Sequence, residues 1–321
     1  MARPPSYAPP LAARLPSAPP RLSGEPVALA GASMGTTWSA RLALPPGVTR
    51  QQAQAAIAAA LDEVVAQMST WEAGSDISRF NRAATGWQAL PEALFHVLSH
   101  ALDLADASGG AYDPTIGALV DAWGFGAGPR VHEPPAAAAI AAALADCGHG
   151  RVRLDLSSIA KGYGVDRAAL ALRALGVTAC LVEVGGELRA HGVRPDGLPW
   201  RVAVEVPDAS GAHALAVPLR DQSIATSGDY RRYIEQAGRR YAHTLAPRTG
   251  KPLDNDLASV TVIHPECMLA DGLATALGVL GAAAGADYAA RHDLAALFIL
   301  RGAAGHEVRA TPAFAALLDR P

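Results

Sequence analysis

Aromatic side chains are scarce in this chain, at 5% of 321 residues, and charged side chains make up only 18%. The formal net charge is −3, so there is no basic excess of the kind that binds nucleic acid. Cysteine is rare as well. Cys147, Cys180 and Cys267 stand far apart and form no CxxC pair, which excludes a disulfide framework and leaves buried free thiols. No stretch reaches the roughly 18 consecutive apolar residues of a membrane span, which argues against stable membrane insertion. None of the ten histidines belongs to an HExxH motif, and the reading is that no zinc site is built from them.

What is abundant is hydrophobic surface. Half of the residues are hydrophobic, enough for a substantial core. The first 26 residues are different: they carry eight prolines and no apolar h-region, and they contain no Cys for lipidation. Residues 1–26 therefore read as a disordered leader and residues 27–321 as the folded domain. On that reading the protein is cytoplasmic; a different start codon would point to the periplasm.

The order of elements gives the fold class. Residues 27–44 look strand-like, interrupted by Gly31 and Gly35. Helical spacing of Ala56, Ala60, Val64 and Met68 predicts a helix over 50–68. Further helices are predicted over 91–107, closed by Gly109 and Gly110, and over the Ala-rich stretch 134–146. Residues 151–156 alternate like a strand, with Ser157 or Ser158 placed to cap a helix running to about Leu175. Strands are predicted over 177–184, 201–206 and 257–263, a helix over 266–280, and a hairpin from 295–300 to 307–310. Strands and helices are mixed without regular βαβ alternation. That predicts an α+β fold with mixed, largely antiparallel sheets and packed helices.

Four constellations carry candidate chemistry. In the helix over 266–280, Leu269, Leu273, Ala276, Leu277 and Leu280 form one apolar face. Asp271 and Thr275 lie one turn apart, roughly opposite it. A carboxylate and a hydroxyl at that spacing suit a hard-oxygen site for Mg²⁺; the bland alternative is an ordinary solvated Asp and Thr. The segment DLSSIAKGYG at 155–164 passes from a predicted strand to a helix N-terminus, where free N–H groups, the helix dipole and Lys161 favour phosphate; the alternative is a capped helix with an exposed lysine. His243 precedes a Pro- and Gly-containing loop, as a base or as a structural ring. Trp71, Tyr112, Trp123 and Phe125 cluster with glycines in two loops and could stack on a flat ligand, or could simply be core. A competing pattern, SxxK at 158–161 with Arg248-Thr249-Gly250, imitates the serine acyl-enzymes of the β-lactamase type. It lacks the SDN box between them.

Several segments together resemble the ApbE family of FAD:protein FMN transferases. They are SMGTTW at 33–38, MSTW at 68–71, SRFN at 78–81, GGAYDPTIG at 109–117, DLSSIAKGYG at 155–164, VGGE at 184–187, ATSGDY at 225–230, HTLAPRTG at 243–250 and ADGLAT at 270–275. The resemblance implies a T-fold-like ApbE architecture over residues 27–321. It implies FAD contacts at Met34, Trp71, Tyr112, Asp113, Asp155, Lys161 and Leu245. It implies Mg²⁺ held by Ser158, through its carbonyl, with Asp271 and Thr275, and a catalytic role for His243. FAD would be the substrate, and the partner would be a flavin-carrying protein of an electron-transfer complex. The alternatives left open are a metal-dependent FAD pyrophosphatase giving FMN and AMP, and a non-catalytic flavin-binding protein. One position departs from the family: the usual His-x-x-Asp-Pro-x-Thr-Gly has Ala246 in place of the Asp, with Asp254 and Asp256 nearby in sequence.

Overall fold

The computed structural model describes residues 25–129, 131, 133–147, 152–205, 214–228, 233–236, 239–302 and 305–318. Of the leader expected over 1–26, residues 1–24 lie outside them, as do Asp229 and Tyr230 of the ATSGDY segment, whereas Glu25 and Pro26 are already part of a strand that pairs with residues 43–44. The chain opens with a hairpin, β1 (Glu25–Ser33) and β2 (Thr36–Leu44). What reads in sequence as one interrupted strand is two strands. Met34 and Gly35 take φ of +53° and +70°, the left-handed pair that a two-residue hairpin turn demands.

Four helices follow: α1 (Arg50–Met68), α2 (Asp76–Arg82), α3 (Glu92–Ala107) and α4 (Gly117–Ala122). Thr49 and Gln52 form a reciprocal capping box that fixes the start of α1 where the periodicity placed it. Next come α5 (Ala137–Asp146), α6 (Ala160–Ala174), β3 (Cys180–Val184), β4 (Glu187–His191), β5 (Trp200–Glu205), β6 (Ala214–Leu219) and β7 (Ser223–Gly228). The chain then runs through β8 (Tyr233–Gln236), β9 (Arg239–Ala242), β10 (Leu245–Ala246), β11 (Lys251–Pro252), β12 (Leu257–His264), α7 (Cys267–Leu280) and α8 (Ala282–Arg291). It closes with β13 (Ala295–Gly302), β14 (Gly305–Ala310) and α9 (Pro312–Leu318).

Eight strands form one antiparallel sheet in the order β1-β2-β3-β4-β7-β12-β13-β14. Three two-stranded ladders, β5-β6, β8-β9 and β10-β11, stand apart from it. The fold is α+β with antiparallel pairing. Strand β12 is buried along its whole length, its polar Ser259, Thr261 and His264 included.

Two sequence expectations need correction. Residues 152–156 do not join a sheet. Their backbone is taken by the loop before α4, through Gly117 N–H to Arg153 O (2.9 Å) and Asp155 N–H to Pro114 O (2.9 Å), with a single bridge between Ile116 and Arg153. Asn81 completes the pairing: its side chain accepts from Leu154 N–H (2.7 Å) and donates to Leu154 O (2.8 Å). Nor do Ser157 or Ser158 cap the following helix. Ile159 occupies the N-cap of α6 without a side-chain cap, because Ser157 is turned back onto Asp155.

Helix α7 is the centre of the larger core cluster, with Met268, Leu269, Ala270, Leu273, Ala274, Ala276 and Leu277 all buried there. It is buried on all sides, not on the one apolar face read from sequence, since the sheet covers one side and α6 and α3 cover others. Asp271 is consequently a buried carboxylate, only 6% exposed. Helices α6 and α7 touch at backbone distance: a Cβ on Gly162 would lie 2.3 Å from Cys267 O and 2.9 Å from Asp271 Cβ. Alanine normally stabilises a helix relative to glycine by roughly 0.5–1 kcal/mol, but here overpacking dominates. Gly162→Ala is expected to lower stability by about 1–3 kcal/mol in urea unfolding; a gain in stability would show that the two helices do not cross this closely.

Candidate active site

Two short loops set the frame. Asp113 accepts from Thr115 N–H (2.8 Å) and Thr115 Oγ1 (2.7 Å). Asp155 accepts from Ser157 N–H (2.9 Å) and Ser157 Oγ (2.5 Å). Each aspartate thus folds its own turn, and the bonds between 114–117 and 153–155 hold the two turns side by side. Asn81, from the SRFN segment, is what locks the second turn in place.

Between them sits Tyr112, only 2% exposed, whose phenol oxygen accepts from Ser158 Oγ at 3.2 Å. Burial holds this phenol above the usual tyrosine range, and the charges of Asp271, Asp155 and Asp113 push the same way, against the Ser158 hydrogen bond. Tyr112 therefore stays neutral, and three carboxylates from separate segments bear on one hydroxyl.

Lys161, in the first turn of α6, does not present a free ammonium. Its Nζ lies 2.8 Å from Glu187 Oε1 and 3.6 Å from Asp271 Oδ1, with the side chain 31% exposed. Burial works against the ammonium, but Asp271 and Glu187 outweigh it and keep Lys161 charged. Asp271 Oδ2 accepts from Gly162 N–H at 3.0 Å, so the carboxylate already occupies part of the anion-favouring end of α6. Glu187, at the start of β4, is 4% exposed, and among the described residues its Oε2 has no hydrogen-bond partner. Burial pushes its carboxyl above the ordinary range, opposed by Lys161.

This cluster tests whether a divalent cation suits the site. Two buried carboxylates face one ammonium, a net charge of −1, and one carboxylate oxygen is unpartnered. Thr275 lies half-buried one turn further along α7. The oxygens are hard donors, so the residues fit Mg²⁺.

The remaining predicted positions have surroundings of their own. Met34 packs over Gly164, where a Cβ would come 3.0 Å from its sulfur. Trp71 is 60% exposed in the loop between α1 and α2. Leu245 is buried with Leu119, Trp123, Ile140 and Ala143, so its side chain serves the apolar cluster. Trp123 is core, donating from Nε1 to Gly250 O (2.7 Å), while Phe125 meets His243 edge-on at 6.5 Å between ring centroids. Arg248 donates to Gly109 O (2.7 Å) and joins the 243–250 segment to the glycine loop preceding Tyr112. Ala246 uses its carbonyl to accept from Thr249 and Gly250, and Asp254 and Asp256 are exposed. The SxxK reading loses its lysine: Ser158 donates to Tyr112, and Lys161 is taken by two carboxylates.

Three residues without a role in the sequence reading complete the site. Glu187 is one; the other two are Asp166 and Arg189. Asp166, on α6, accepts from Cys267 N–H (3.1 Å) and Met268 N–H (2.9 Å), capping α7 from outside, and it is paired with Arg189 of β4. Helix α7 has no side-chain cap of its own. Their only sequence signal is position: Asp166 lies one turn beyond Gly162, and Arg189 two residues beyond Glu187. His96 and His100, four apart on α3 with centroids 4.4 Å from each other, also escaped that reading. Among the described residues no group of three His, Cys, Asp or Glu could hold a metal.

The sequence profile of the ApbE family matches residues 34–298. The chain belongs to the ApbE family. Its ApbE relatives include the FAD:protein FMN transferase of Vibrio cholerae serotype O1, 38% identical over 92% of this chain and 94% of that protein. The FAD:protein FMN transferase of Haemophilus influenzae is 36% identical over 91% and 92%. The solved flavin transferase ApbE from Vibrio cholerae superposes with a TM-score of 0.85 at 37% identity, covering 91% of this chain and 99% of that one. The flavinyl transferase ApbE of Pseudomonas stutzeri, in its apo form, gives 0.83 at 38% identity, over 92% and 98%. Its antiparallel α+β architecture is thus the ApbE architecture.

The outside cap on α7 is testable in this ApbE chain. Asp166→Ala removes two helix-end bonds and strands Arg189, which is expected to cost about 3–5 kcal/mol in urea unfolding. Asp166→Asn, which keeps an acceptor oxygen, is expected to cost less. A loss below about 1 kcal/mol for the alanine variant would mean that α7 is held by packing alone.

Proposed function

We propose that this chain binds FAD together with Mg²⁺ and transfers the FMN half to a Thr or Ser hydroxyl of an acceptor protein, releasing AMP. The observation that carries the reading is the buried meeting of Asp271, Lys161 and Glu187 beside Tyr112 and Ser158. A pyrophosphate approaching this cluster finds carboxylates in excess and one partly committed ammonium. It needs a further cation, and the hard oxygens of Asp271, Thr275 and the Ser158 carbonyl are the residues that would hold Mg²⁺. Bound there, Mg²⁺ would neutralise phosphate charge and polarise the phosphorus.

The protein's own groups account for the rest. Asp113 and Asp155 shape the two turns next to Tyr112, and the neutral Tyr112 hydroxyl and Lys161 supply donors toward FAD. Met34 and Trp71 offer apolar surface to the flavin or adenine rings. The acceptor hydroxyl forms a bond to the FMN phosphorus while the phosphorus–oxygen bond to AMP breaks, and His243 takes the hydroxyl proton. The acceptor is of the flavin-carrying class found in electron-transfer complexes. With water in place of the hydroxyl the same centre would act as an FAD pyrophosphatase. Incubation with FAD, Mg²⁺ and an acceptor, read by mass, separates the two: acceptor gain of one FMN supports transfer, and free FMN without acceptor gain contradicts it.

Two variants test the assigned roles. Asp271→Ala is expected to abolish Mg²⁺-dependent turnover; near-wild-type rates across a Mg²⁺ titration would contradict the assignment. His243→Ala is expected to retain FAD binding but slow single-turnover transfer by roughly 100- to 10,000-fold, the usual worth of a positioned base. Without a carboxylate at Ala246 to orient the ring, the lower end of that range is expected, and Ala246→Asp is expected to raise the rate. A His243→Ala rate within a few-fold of wild type would show that the ring is not the base.

A further inference from the structure

We propose that Glu187 is a positioning residue that holds the Lys161 ammonium off Asp271, leaving that carboxylate open to the divalent cation. The inference rests on Asp271 being a ligand of that cation. Lys161 and Gly162 are consecutive in the first turn of α6, and Gly162 N–H fixes Asp271 Oδ2 at 3.0 Å. The backbone that supplies the lysine therefore also pins the aspartate, and the two charges cannot be separated by moving either helix. Only a competing partner decides where the ammonium goes. That partner is Glu187, with Nζ at hydrogen-bond distance from its Oε1 (2.8 Å) and farther, at 3.6 Å, from Asp271 Oδ1.

The cost of burying Glu187 argues for such a role. The side chain is 4% exposed and its second oxygen has no hydrogen-bond partner among the described residues; besides Lys161, only its own backbone N–H bears favourably on the carboxylate. A residue kept only for packing would not carry an unsatisfied buried carboxylate oxygen. Its one side-chain partner at hydrogen-bond distance among the described residues is Lys161. Remove its charge and the nearest anion for the ammonium is Asp271, whose Oδ1 lies within an easy rotation of the lysine side chain. A cation arriving at Asp271 would then have to displace an ion pair.

With both carboxylates ionised, Glu187 and Asp271 against Lys161 give the cluster a charge of −1. Glu187→Gln brings it to zero with Lys161 free to close on Asp271. Lys161→Met brings it to −2, and the double variant returns it to −1 with Asp271 unencumbered.

The test is a titration of the full chain with Mn²⁺ alone, without FAD, reading the free ion by electron paramagnetic resonance. Urea unfolding of each variant checks that it is folded. Relative to wild type, Glu187→Gln is expected to bind Mn²⁺ at least about tenfold more weakly and Lys161→Met about tenfold more tightly, the scale of one unit charge a few ångströms away. The Lys161→Met/Glu187→Gln double variant is expected to return to within a few-fold of wild type. Equal affinity in wild type and Glu187→Gln, or a double variant as weak as Glu187→Gln, would overturn the role of Glu187. Weaker binding by Lys161→Met would do the same, and that variant keeps the test decisive if Glu187→Gln is unfolded. Mn²⁺ uptake that survives Asp271→Asn, or none by the wild type, would instead overturn the site reading on which the inference rests.

Discussion

The whole site depends on the contact between α6 and α7 at Gly162. There the two helices approach so closely that no side chain fits, and the N–H of Gly162 reaches the carboxylate of Asp271. This one contact sets the depth of Asp271, brings Lys161 beside it, and puts the first turn of α6 against the first turn of α7. Asp166 repeats the arrangement one helical turn along, bonding two N–H groups at the start of α7. A helix that has no cap of its own is thus held by its neighbour, and the groups assigned to chemistry ride on that join.

Around this join the fold supplies rigidity from two sides. The eight-stranded antiparallel sheet backs α7, and strands β3 and β4 deliver Glu187 and Arg189 to the same junction from the turn at Gly185 and Gly186. From the other side the two aspartate-built turns, tied by Asn81 and by the bonds of 114–117 to 153–155, bring Tyr112 and Ser158 in. Residues spread from 81 to 275 in sequence therefore converge because four local devices converge: a helix crossing, a hairpin and two turns closed by their own aspartates. The result is a buried centre with more negative than positive charge, the condition under which a divalent cation and a pyrophosphate stabilise one another.

Much of this was legible in the sequence. The period of α1, the glycines after α3 and the apolar run of α7 gave those elements their places. The segments shared with the ApbE family pointed to Tyr112, Asp113, Asp155, Ser158 and Lys161 as neighbours. What could not be read was tertiary. Residues 152–156 alternate like a strand, yet their backbone partners come from a loop and from the Asn81 side chain. Asp271 reads as a residue on a polar face, yet the face is covered by another helix. Lys161 reads as a free phosphate ligand, yet its partners, Glu187 and Asp271, lie 26 and 110 residues further on, the differences between their sequence numbers. Asp166 and Arg189 carry no motif chemistry, since their work is to hold a helix end that only the folded chain brings near them.

The proposed chemistry requires a divalent ion at Asp271 when FAD is bound. Crystals grown with FAD and Mn²⁺ answer this through the anomalous signal of the metal. The expected result is a peak at about 2.1 Å from an Asp271 carboxylate oxygen and the Thr275 hydroxyl, adjoining the pyrophosphate beside the start of α6. FAD bound with its pyrophosphate away from Asp271, or a metal peak held by other residues, would contradict it.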